Sequence, residues 1–166
     1  MVEINKLKIR FSESSDAKYL TKWLIDKDIL RWFPMCNKFE VDDSVRIWMS
    51  YIKHKAVLTA TYDNAICGNA LIYLNSFKKI AHGALFAIIV DPNYRNKGIG
   101  SALLKELFKL AKDSLKLEML YLEVYTGNPA VHIYERLGFK KYGVHKKFLK
   151  DLDGKYYDKI LMQKFL

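Results

Sequence analysis

Asp91-Pro92-Asn93-Tyr94-Arg95-Asn96-Lys97-Gly98-Ile99-Gly100-Ser101 is the stretch on which the reading of this chain turns. Leu85-Phe86-Ala87-Ile88-Ile89-Val90 leads into it as an unbroken run of strand formers. A helical pattern leaves it, with Leu103, Leu104, Leu107, Phe108, Leu110 and Ala111 on one stripe and Lys105, Glu106, Lys109, Lys112 and Asp113 opposite. A strand therefore feeds a glycine-rich turn that opens a helix. The start of a helix offers unpaired N–H groups and the positive end of the backbone dipole. Glycines let the backbone approach an anion without a Cβ between them. With Arg95 and Lys97 adding charge, the expected ligand of this loop is a pyrophosphate.

Spacing excludes two common phosphate loops. A Walker A loop places lysine after its second glycine, whereas Lys97 precedes Gly98. A dinucleotide fingerprint requires a third glycine at the position of Leu103. Both of those loops also open a parallel sheet near its start, and this one comes after several strands.

Working outward, residues 7–11 alternate apolar and basic as a half-buried strand, and Ser14-Ser15-Asp16 offers caps for a helix carrying Leu20, Trp23 and Leu24. Residues 26–40 are irregular and crowded with Trp32, Phe33, Pro34, Met35 and Phe39; a second helix is expected from Asp42-Asp43-Ser44. Strands at 56–62, 66–74 and 80–90 have short links and read as an antiparallel meander. The strand at 120–124 follows a helix and so should run parallel to the fourth. Asn128 as N-cap, Pro129 at the first turn and Gly138 past the end bracket a short helix. Strands at 139–149 and 156–165 close the chain around Asp153-Gly154. The order β, α, α, β, β, β, α, β, α, β, β predicts one α/β (α+β) domain over 1–166.

A net charge of +10 and a pI near 9.5 favour a polyanionic ligand, an acidic partner or nucleic acid without choosing among them. No RNA-binding motif is present, which ranks nucleic acid last. Cys36 and Cys67 stand in no metal-ligand spacing, and no metal is expected. The N-terminal residues contain no signal-peptide core, and no apolar run is long enough to span a bilayer. These features predict a cytoplasmic chain.

Arg95-x-x-Gly98-x-Gly100, preceded by Val90-Asp91-Pro92-x-Tyr94, resembles the first signature of the GCN5-related N-acetyltransferase (GNAT) superfamily. Leu122-Glu123-Val124 with Asn128, Ala130, Tyr134 and Gly138-Phe139 resembles its second signature, and the Asp153-Gly154 hairpin and Met162 strand are similar too. The resemblance implies a central mixed, mostly antiparallel seven-stranded sheet flanked by helices, with strands four and five parallel and splayed. It implies transfer of an acetyl group from acetyl-coenzyme A (acetyl-CoA) to a primary amine of a small molecule or protein, by direct attack in a ternary complex. It assigns the pantetheine arm to the backbone of Ile88, Ile89 and Val90. The pyrophosphate falls to Arg95, Asn96, Lys97, Gly98, Ile99 and Gly100, with Ser101 at the helix start. Asn128 matches a contact to the cofactor arm, and Tyr134 the usual general acid. The acceptor site matches residues 26–40 and 148–157, and homodimers occur in the family.

Read from its chemistry alone, Tyr134 is either a core tyrosine or a proton donor, since a phenol stays protonated at neutral pH. The family's usual glutamate on the fourth strand is Leu85 here. His82, three residues earlier, is a strand histidine or a substitute base, and Glu123 is a second candidate base or a solvated carboxylate. Trp32, Phe33 and Phe39 line an apolar acceptor pocket or plug the core. The missing glutamate keeps open an alternative, a non-catalytic acyl-CoA-binding sensor.

Overall fold

The computed structural model describes residues 4–166. Seven strands, β1 (Leu7–Phe11), β2 (Val57–Tyr62), β3 (Ala65–Tyr73), β4 (Gly83–Val90), β5 (Met119–Tyr125), β6 (Lys140–Lys150) and β7 (Tyr156–Phe165), form one sheet in the order β1-β2-β3-β4-β5-β7-β6. Every neighbouring pair is antiparallel except β4 and β5, which are parallel. The helix-linked crossover between them accounts for this one exception. The expected mixed, mostly antiparallel sheet is thus the observed one.

The β4–β5 pairing is short. It holds only Gly83↔Met119, Ala84↔Leu120 and Leu85↔Tyr121. Beyond Leu85, β4 runs on to Val90 paired with β3 alone, and beyond Tyr121, β5 runs on to Tyr125 paired with β7 alone. The sheet therefore opens into a V whose apex is Leu85 and whose mouth is the loop after Val90, about 16 Å along the strand.

The sheet has an apolar core on each face. Helix α4 (Ile99–Lys109) and helix α5 (Val131–Arg136) cover one face, where Leu103, Leu104, Leu107 and Tyr134 join Phe86, Leu120, Leu122 and Phe139. Helix α1 (Ala17–Ile25) and helix α3 (Lys38–Ser50) cover the other, where Leu20, Trp23, Leu24, Val45 and Trp48 join Val57, Leu71 and Ile89. Strand alternation produces both layers, because Phe86 and Ile89 on one strand point to opposite faces.

Some boundaries differ from the sequence reading, each for a local reason. Helix α3 starts at Lys38, because the Asn37 side chain accepts the Glu40 N–H and caps it one turn before Asp42. Within the stretch expected to be irregular, α2 (Lys27–Leu30) forms on an Asp26 cap that accepts the Asp28 N–H. The helix after the loop begins at Ile99 and ends in a π turn over Leu110–Ser114. Helix α5 begins at Val131 with Ala130 at its N-cap; Asn128 instead accepts the Ala130 N–H one turn earlier. Strand β4 begins at Gly83, so His82 lies in the preceding turn and not on the strand.

A buried polar network ties α1 to the sheet. Asp16 accepts two hydrogen bonds from Arg10, at 2.8 and 2.9 Å, one from the Glu13 N–H and one from Thr59. Asn69 bonds Ser12 and Thr59 and accepts from the Trp48 indole. Burial opposes the Asp16 charge, but these donors outweigh it and hold its pKa below the ordinary carboxylate value. The folded pKa is depressed, so this stabilisation is present above the unfolded value near pH 4 and is lost as pH falls through the folded value. Asp16→Ala should cost about 2 kcal/mol at pH 7, checked by urea midpoints, and the deficit should shrink in acid as wild type loses the same contribution.

Candidate active site

The apex of the V is where Tyr134 sits. Phe86, the first β4 residue beyond the last β5 pair, meets the Tyr134 ring edge-on at 6.0 Å. Phe139 also meets it at 6.0 Å and packs on Phe86 at 5.5 Å, so the three rings form one cluster. Helix α5 is therefore docked with its tyrosine against the point where the two strands part. The ring is buried, and burial pushes the phenol pKa up to about 12. It is fully protonated at neutral pH. Among the described residues its hydroxyl forms no hydrogen bond to protein, although no sealed side-chain oxygen lacks a partner. The hydroxyl therefore keeps some access to solvent.

The mouth of the V is the glycine loop. Asp91 starts it: its carboxylate accepts the Asn93 N–H at 2.9 Å and the Trp23 indole N–H at 2.9 Å. Its own N–H is held by the Cys67 carbonyl. A single turn over Pro92–Tyr94 follows, and Arg95 leaves it extended. Asn96 and Gly98 both adopt left-handed φ, +58° and +78°. Two such residues within three positions are the backbone pattern of an anion-binding nest. The first closed helical bond is from the Ala102 N–H to the Gly98 carbonyl, so the N–H groups of Ile99, Gly100 and Ser101 are the free first turn of α4. No side chain caps that turn. A Cβ on Gly98 would meet no protein atom within 4 Å, so the loop faces open space. Arg95 turns its Nε to the Val90 carbonyl, and Lys97 lies over the Tyr94 ring.

Trp23 belongs to α1, on the opposite side of the sheet from α4, and is buried. It thus anchors the carboxylate that begins the glycine loop. Trp23→Phe should lower stability by about 1–2 kcal/mol, readable as a shifted denaturant midpoint, because Asp91 loses a buried donor.

Ile88, Ile89 and Val90 pair with Ala70, Asn69 and Gly68 of β3. Their other edge lies inside the V, with no strand beside it. Asn128 sits after β5 in a turn that folds its carbonyl onto the Ala130 N–H, which leaves its amide nitrogen free of that bond. Loop, strand edge, Asn128 turn and Tyr134 thus all border one opening.

His82 does not join them. It is exposed in the turn before β4, three residues before Leu85, and so about 10 Å short of the apex on the paired side. Its carbonyl accepts the Glu118 and Met119 N–H groups, which starts the β4–β5 pairing. Its place in the sequence belongs to that backbone junction. Glu123, by contrast, lies two residues past Tyr121, just beyond the apex, with its side chain partly exposed. It accepts from Lys159 at 2.8 Å. Alternation puts it on the face opposite Leu122 and Val124. Of the three aromatics expected at the acceptor side, Phe33 packs into the core beneath α1 and α3, Phe39 is 82% exposed in the first turn of α3, and Trp32 lies beside Gly127 after β5. Only Trp32 borders the opening. Register explains its place: Glu123 stands two residues beyond the last β4–β5 pair, and its side chain lies over the sheet toward β7, where it meets Lys159.

Residues 20–139 match the acetyltransferase (GNAT) family model, well over half of the chain. The chain is 26% identical over 164 residues to the L-amino acid N-acetyltransferase AaaT of Escherichia coli (strain K12), covering 96% of this chain and 98% of that one. It is 28% identical over 175 residues to a spermidine N(1)-acetyltransferase of Vibrio cholerae serotype O1, covering 98% and 96%. Among solved structures it superimposes on yncA from Salmonella typhimurium, an acetyltransferase structure with acetyl-CoA, at a TM-score of 0.82 and 20% identity, over 98% of this chain and 95% of that one. With the sheet, its splayed parallel pair and both signatures in register, the chain belongs to the GNAT family of acetyltransferases.

Proposed function

We propose that this protein moves the acetyl group of acetyl-CoA to a primary amine, as a single N-acetyltransferase domain, by direct attack within a ternary complex. The observation that carries the reading is the V itself, with an uncapped anion nest at its mouth and a protonated tyrosine at its apex. Acetyl-CoA is a pyrophosphate on a long arm that ends in a thioester. The nest suits the pyrophosphate, through the backbone of Asn96 to Gly100 and the start of α4 at Ser101. The free edge of Ile88 to Val90, with Asn128 opposite, suits the amide-bearing arm.

An alkyl ammonium has a pKa near 10.4, so its proton must be removed before attack. Glu123 is the proposed acceptor, since it stands at the apex and His82 does not. The amine nitrogen then bonds to the thioester carbonyl carbon. The resulting oxyanion is stabilised by N–H groups on the open β4 edge. As the C–S bond breaks, Tyr134 donates its hydrogen bond to the sulfur. A thiol has a pKa near 8.5, well below that of the buried phenol, so Tyr134 stabilises the leaving thiolate more than it surrenders its proton. The proton taken from the amine balances the released thiol through solvent. Leu85, where the family's glutamate stands, leaves this duty to β5.

The test is acetyl-CoA-dependent thiol release with a broad amine panel, beside calorimetric binding of acetyl-CoA. Turnover supports the proposal. Binding with no turnover on any amine overturns it in favour of an acyl-CoA sensor. No described helix is long and apolar enough to cross a membrane. Cys36 and Cys67 are both free thiols, which supports a reducing, cytoplasmic location.

A further inference from the structure

Lys159 is buried to 8% exposure on β7, a rare place for an ammonium. Its Nζ donates to Glu123 at 2.8 Å and lies 3.5 Å from the centre of the Phe148 ring. The chain builds this arrangement with a bulge. His145 pairs with Lys159 and Leu149 with Tyr157, so four steps along β6 match two along β7. Lys147 takes a left-handed φ of +51°, and Asp158 pins the bulge by accepting the Lys147 N–H and the Lys146 ammonium. The bulge returns Phe148 over the sheet, where it stacks on Tyr125 at 6.4 Å.

This cluster lies on the face away from α4 and α5. On that face α1 and α3 cover residues of β2, β3 and β4. The Glu123–Lys159 pair therefore lies over β5 and β7 on that same face, with Glu123 two residues beyond the apex. Glu123 alone would suit any ammonium. Lys159 beside it, with the exposed Lys146, Lys147 and Lys150 on the neighbouring strand, repels a polycation.

An α-amino acid carries its ammonium and carboxylate on one carbon, a separation of the same order as the 2.8 Å between Lys159 and Glu123. We propose that Glu123 and Lys159 form the acceptor subsite and select an amine bearing an α-carboxylate. The ammonium docks on Glu123 and the carboxylate on Lys159, so one ion pair is exchanged for two. Phe148 and Tyr125 hold the lysine in place and keep water from screening it. This assignment rests on the acetyl-transfer reading above.

The experiment measures kcat/KM for matched trios, each an L-amino acid, its carboxamide and its decarboxylated amine, built on alanine, methionine, phenylalanine and glutamate skeletons, with spermidine alongside. Wild type should prefer at least one amino acid over its own carboxamide by about tenfold or more, with spermidine poorer still. In Lys159→Met that acid-to-amide ratio should fall close to one, and Lys159→Arg should retain it. Equal use of acid and amide by wild type, preference for spermidine, or a Lys159→Met loss that leaves the ratio intact overturns the subsite while acetyl transfer stands. No turnover of any acceptor overturns both. If Lys159→Met fails to fold, the wild-type ratios and Lys159→Arg still decide.

Discussion

Tyr134→Phe should lower kcat for acetyl transfer by about 100-fold or more, with the dissociation constant for acetyl-CoA within about threefold of wild type. The ring makes the structural contacts: Phe86 and Phe139 meet it edge-on, and phenylalanine preserves both. The hydroxyl makes no protein hydrogen bond among the described residues, so its removal orphans no partner and stability should hold within about 1 kcal/mol. A stability loss with unchanged turnover would make Tyr134 a core tyrosine only. Steady-state kinetics with calorimetric acetyl-CoA binding separates the two. Because burial holds the phenol up to about 12, wild-type kcat should show no fall from tyrosine ionisation between pH 7 and 10. Deprotonation would remove the donor, and it lies above that range.

The second large effect is expected at the mouth of the V. Gly98→Asp should weaken acetyl-CoA binding by about 50-fold or more, and Gly98→Asn by less than about tenfold. The position is left-handed, and asparagine and aspartate tolerate that conformation better than most residues. A Cβ there meets no protein atom, so neither variant crowds the loop itself. The two side chains have nearly the same shape, and the difference between them isolates one negative charge beside a bound pyrophosphate. At 4 Å and an effective dielectric of 20 such a pair costs about 4 kcal/mol before screening by solvent. The gap should therefore narrow as salt is raised. Equal affinities for the two variants would place the pyrophosphate elsewhere.

Much of the arrangement was legible in local sequence. The loop from Asp91 to Ser101 combines a strand end, two glycines and a helix stripe, all short-range signals. Its Asx turn at Asp91 and its left-handed Gly98 depend on neighbours a few residues away. The parallel setting of β4 and β5 followed from the helix between them. Helix starts were harder to place, since Asn37 and Asp42 are both good caps and the chain uses the earlier one, with the Asn37 side chain accepting the Glu40 N–H. His82 and Glu123 show where reading along the chain fails. His82 is near Leu85 in sequence but precedes the strand, whereas Glu123 is 38 positions away and stands just past the same apex. Proximity along a strand is not proximity across a splay.

By itself the sequence determined the order of the strands, the glycine loop, the tyrosine helix and the family, because each rests on residue types within a few positions of one another. The tertiary structure decided where β4 parts from β5, that Phe86 hands that point to Tyr134, and that Trp23 from the far face anchors the loop through Asp91. It also decided the burial of Lys159 against Glu123, through a bulge in one strand and the register of another. Those outcomes depend on pairing and packing between segments far apart in the chain, where register and burial, and not local preference, set which groups meet.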